Sequence, residues 1–135
     1  MPTLNQPRGT DYNDAARQVA DLLAHDADGI AAAGAVQLAI EAWKSLAGTD
    51  LAWDRFGLEL LDIRARLYSD HDDVVVDAES PTHDDAETRR VVAVLLEQLA
   101  RHHDRLAADH HDDLASRDLH TAAAQQLRRA VATLV

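Results

Sequence analysis

The stretch TRRVVAVLLEQLARHHDRLAADHHDDLASRDLHTAAAQQLRRAVATLV, residues 88–135, contains neither glycine nor proline, and the same holds back to Thr82. Its apolar residues recur at three- and four-residue intervals, the period of one helix face, with Leu99, His103 and Leu106 in one stripe. A single helix over 82–135 would run about 80 Å at ~1.5 Å per residue, too long for a compact domain of this size. The stripe fails at Asp109–Asp113, where His and Asp displace the apolar residues. The reading is therefore two antiparallel helices, about 82–108 and about 113–133, with Ser80 as N-cap and Pro81 at the first helical position.

Working outward, the segment Asp70–Glu87 carries eight acids and no Lys or Arg. It reads as a solvated connection, with Val74-Val75-Val76 as a short extended piece resting on the bundle. Before it, about Leu51–Tyr68 is apolar on more than half its circumference: Leu51, Trp53, Phe56, Leu58, Leu60, Leu61, Ile63 and Leu67. So wide a stripe predicts a central helix, or one that also faces another subunit. Gly48 ends the preceding helix, about Ile30–Leu46, and Thr49 or Asp50 caps the next. A first helix spans about Asp11–Ala24, capped by Thr10 or Asp11. Residues 1–10 read as a flexible arm. The expectation is an all-α antiparallel bundle of about five helices, forming one domain over 11–135, with the acidic connection at 70–87.

Composition bounds the function. The chain has 135 residues, 47% hydrophobic, enough for a core, but aromatics make up 4% and alanine contributes 26 residues, so that core is built of small and aliphatic side chains. Absence of cysteine excludes disulfides, thiolate metal sites and cysteine nucleophiles. A net charge of −11 disfavours a general nucleic-acid or anionic-membrane binder, which needs clustered Lys and Arg. The most apolar window, Ile30–Ala47, is interrupted by Gln37, Glu41 and Lys44 and falls short of the ~20 apolar residues of a spanning helix. These features point to a cytoplasmic protein.

Two clusters invite chemistry. His102-His103 and His110-His111 stand among Asp104, Asp109, Asp112 and Asp113. His103 and His110 share a helix face but are seven residues apart, a rise of about 10 Å, too far to share one ion unaided. Asp109, His110 and Asp113 have the closer spacing that a metal site on one helix turn requires. No Glu-x-x-His pair of the di-iron type occurs, and the five glycines are scattered singly, without a phosphate-binding loop.

Ala15–Gly48, with its acidic break, Ala-rich second helix and Ala39-Ile40-Glu41-Ala42-Trp43-Lys44-Ser45-Leu46, resembles the first two helices of HEPN domains. That resemblance implies a small all-α domain, often dimeric, whose active members are metal-independent ribonucleases. They carry an Arg and a His with four to six residues between them. His serves as acid/base and Arg neutralises charge developing at an RNA phosphate. Arg66 or Arg64 with His71 matches this spacing, as does Arg105 with His110 or His111.

The leading expectation is a helical bundle that acts by self-association or by binding a protein partner, without catalysis, cofactor or small-molecule ligand. The apolar excess of the third helix motivates it, with Trp53, Phe56 and Leu60 as the partner-contacting residues. A homodimer or a protein partner follows, with RNA as partner only in the ribonuclease alternative. A metal-binding bundle is the further alternative.

Overall fold

A computed structural model describes residues 11–25, 29–68, 78–109 and 112–134. It contains five helices: α1 (Tyr12–His25), α2 (Gly29–Leu46), α3 (Leu51–Leu67), α4 (Ala86–Asp109) and α5 (Leu114–Leu134). Aspartate carboxylates start four of them. Asp11 accepts from the Asp14 N–H, Asp50 from Ala52, Asp85 from Thr88, and Asp113 from Ser116. Each satisfies a backbone donor that the first helical turn leaves without a partner. Gly48, at φ +88°, ends the α2–α3 connection in the left-handed conformation that favours glycine.

The helices close into a ring in the order α1–α2–α3–α5–α4, and α2 and α4 also meet across the interior. The longest seam is α4 against α5. It runs antiparallel, since Arg89 reaches the Leu134 carbonyl, Arg128 reaches Glu97 and Asp104, and His103 meets His120. The core is aliphatic and alanine-rich, as the composition requires. Leu23, Leu38, Leu60, Ile63, Leu95, Leu96, Leu99 and Leu127 fill it, with Trp53 and Phe56 the only large aromatics wholly inside among the described residues. Their rings meet edge to face with centroids 5.3 Å apart. Tyr12 is also buried, and its hydroxyl donates to the Leu38 carbonyl at 2.6 Å, pinning α1 to the middle of α2.

The five-helix expectation matches this architecture, with one shift. α4 begins at Ala86 rather than near Thr82. Asp85 captures the Thr88 N–H and accepts the Arg89 N–H on its carbonyl, whereas Pro81 is buried in the non-helical approach to the helix. The N-cap is thus Asp85 and not Ser80. Val74–Val76 and most of the acidic connection lie outside the described residues. No helix among the described residues is long and apolar enough to cross a membrane.

Candidate association surface

α3 has one buried side and one exposed side. Its buried residues, Trp53, Phe56, Gly57, Leu60 and Ile63, fall on one side of the helical wheel. α5 flanks one edge of that side at Glu59, and α2 flanks the other edge at Gly57. At Gly57 a Cβ would lie 2.1 Å from the Trp43 indole nitrogen, so the absent side chain is what lets the α2 indole lie on α3.

On the opposite side of the wheel stand Leu51, Arg55, Leu58, Asp62 and Ala65, all exposed. At 3.6 residues per turn they fall within about 80° of arc, over a rise of about 21 Å. Leu51 is 60% exposed and Leu58 70%, the latter the highest value among the large apolar side chains of the described residues. Arg55, between them, makes no ion pair among the described residues. The stripe borders two shallow grooves between α3 and α5, floored by Gln126, Ala132 and Thr133.

Polar networks fix the frame behind this stripe. Gln126 of α5 is buried and donates its amide to Glu59 at 2.9 Å and to Asp62 at 2.8 Å, while its carbonyl oxygen accepts from Arg66. Arg66 also pairs with Asp62 at 3.3 Å. At the other end of α3, Arg89 grips Asp84 with two bonds of 2.8 Å, reaches Asp50 at 3.1 Å, and lies 5.8 Å above the Trp53 ring. These contacts hold the Asp84 carboxyl below its ordinary range, the Arg89 guanidinium acting first. The Trp53 indole N–H adds to that effect while falling short of a full hydrogen bond.

A third network lies inside the α4–α5 seam. Tyr68 Oη is 2.6 Å from His103 Nε2, and His103 Nδ1 is 2.9 Å from His120 Nδ1, the two imidazoles being stacked. One neutral arrangement satisfies both contacts: Tyr68 donates to His103 Nε2, and His103 Nδ1–H donates to His120. Burial, then the neighbouring His102 and His120, drives the His103 pKa down to about 3. Burial also raises that of Tyr68. His103 is therefore neutral at pH 7, a buried polar knob of the kind its place beside Leu99 and Leu106 predicts.

The residues singled out from sequence divide cleanly. Trp53, Phe56 and Leu60 are fully buried, which corrects their assignment as partner contacts. α2 and α5 close over that side of α3 and leave it no outward path. Arg66 is held by Gln126 and Asp62, while His71 lies outside the described residues. Arg105 donates to the Leu23 carbonyl at 2.9 Å, tying α4 to the last turn of α1. Asp113 caps α5, one oxygen accepting the Ser116 N–H at 3.3 Å and the other the Ser116 hydroxyl at 3.0 Å. Asp109 ends α4, and His110 is outside the described residues. Among the described residues no three His, Cys, Asp or Glu side chains are grouped to hold a metal ion. In the sequence, Leu51 and Leu58 belong to the same broad apolar stripe as the core residues of α3. Their seven-residue spacing, out of phase with Trp53, Phe56 and Leu60, was the available signal. Compared with known proteins, the chain matches no family model, no curated protein and no solved structure.

Proposed function

We propose that this protein is a helical-bundle association module of the cytoplasm, which binds another protein surface through the outer face of α3 and does no chemistry there. One observation carries the reading: Leu51 and Leu58 are lined up, two helical turns apart, on the side of α3 opposite the core. Single exposed leucines are ordinary on protein surfaces, so the alignment is the signal rather than the exposure. The frame supports it, because Gln126, Arg66 and Arg89 anchor both ends of α3 to its neighbours and hold the stripe rigid. A preorganised face loses little conformational freedom on docking. The ribonuclease alternative draws no comparable support. Its Arg66 pairs with Asp62 and Gln126, and His71 lies outside the described residues.

A photoreactive amino acid at position 58 tests the reading in cells producing the protein. It is expected to give a covalent adduct heavier than the monomer, whereas the same group at Gln18, exposed on α1, gives none. Absence of adducts from positions 51, 58 and 65 alike would overturn it.

A further inference from the structure

We propose that the surface seated on α3 is α3 of a second copy, in an antiparallel two-fold pairing centred on Leu58; this rests on the association reading above. The support is the order of residues along the stripe: Leu51, Arg55, Leu58, Asp62, Ala65. A two-fold axis perpendicular to an antiparallel helix pair places position i opposite a position j of the partner such that their sum is constant. With Leu58 on the axis, Leu58 faces its own counterpart and Leu51 faces the partner's Ala65. Arg55 then stands opposite the partner's Asp62, within one residue of register. Symmetry makes that ion pair twice.

The stripe is thus complementary to itself in shape and in charge. Leucine meets leucine at the centre, a large side chain meets a small one at each end, and opposite charges meet between. The charges are also available. Arg55 has no ion pair among the described residues, and the Asp62 side chain remains 55% exposed despite its contacts with Arg66 and Gln126. A net charge of −11 repels a second copy over most of the surface, so a face where the signs alternate is where two copies approach at least cost. The other apolar groove, between α4 and α5 around Ala93, Val94 and Val131, is the weaker candidate. Val94 is 48% exposed, and Glu97 on its rim is already shared by Arg101 and Arg128.

Sedimentation equilibrium on the full chain tests the pairing. Wild type is expected to be a dimer, and Leu58→Asp a monomer with unchanged helical circular dichroism. Arg55→Asp alone and Asp62→Arg alone should each weaken the dimer by about tenfold or more, since each puts like charges opposite one another twice. The double exchange Arg55→Asp/Asp62→Arg should recover most of that loss, which a merely structural effect of either change would not do. Val94→Asp should leave the dimer intact. A wild type that stays monomeric at about 100 μM, a Leu58→Asp dimer, or a double exchange no better than the single changes would overturn the pairing. A monomeric wild type whose position 58 still cross-links to a different protein in cells would sink the second copy and leave the association reading standing.

Discussion

Both sides of α3 carry large apolar side chains, and these meet opposite fates. Inward, Trp53, Phe56, Leu60 and Ile63 are fully buried between α2 and α5. Outward, Leu51 and Leu58 stand in solvent with Arg55 between them and Asp62 beyond. The inner side stabilises the fold through area removed from water, about 1.5–3 kcal/mol for each large apolar side chain. The outer side gains nothing of the kind in a lone chain. If the outer side is the association face proposed above, one helix separates stability from association by angle alone, and substitutions on its two sides should separate the same two properties.

The largest effect is expected inside. Phe56→Ala removes a ring packed edge-on against Trp53 and should cost about 3–5 kcal/mol by denaturant titration. A cost under about 1 kcal/mol would mean that the inner side is not the core.

The next concerns the polar interior. Because the folded pKa of His103 is about 3, against an unfolded value near 6.5, the unfolded chain binds the extra proton between those values. The stability that neutral His103 contributes is complete above pH ~6.5 and drains away as pH falls towards 3, by at most about 1.4 kcal/mol per pH unit. Asp84 and Asp50, held low by Arg89 and by backbone hydrogen bonding, act in the same direction only below their ordinary 3.8. Between pH 6.5 and about 4.5 the slope thus belongs to histidine. His103→Gln, which retains hydrogen-bonding capacity, should flatten it. An unchanged slope in that variant would place the proton uptake elsewhere.

At the α2 edge of the inner side lies Gly57. Gly57→Ala drives a Cβ into the Trp43 indole, and should cost about 1–2 kcal/mol once the helix-forming gain of alanine, up to about 1 kcal/mol, is set against overpacking. In a Trp43→Ala background the same change should become neutral or stabilising. Equal losses in both backgrounds would exclude the indole as the cause. The smallest effect is expected outside: Leu58→Asp should change the stability of the isolated protomer by no more than about 0.5 kcal/mol.

Much of the fold was legible because the chain marks its own helix ends. Asp11, Asp50 and Gly48 fall where local chemistry predicts, and α4 ends at Asp109, where the apolar stripe stops. The start of α4 was not, since Ser80-Pro81 is as good a local signal as Asp85; the choice is made by Asp85 binding the Thr88 N–H and by Arg89 reaching Asp84, Asp50 and the end of α5. The candidate site was half legible. Apolar excess on the third helix was plain, but which leucines face outward depends on where α2 and α5 pack. The inner residues drew attention because they are the larger ones. His103 was recognisable as a knob in the stripe, whereas its partners Tyr68 and His120 lie 35 and 17 residues away and meet it only through tertiary packing.

The most direct test of the division between the two sides is the denaturation midpoint of wild type and Leu58→Asp, each measured against protein concentration. Association stabilises only the folded state, so the wild-type midpoint should climb with concentration while the Leu58→Asp midpoint stays level. The two should converge at high dilution. A level wild-type line, or a Leu58→Asp line displaced downward even at the lowest concentration, would contradict the account by showing that the outer leucine serves the fold rather than a partner.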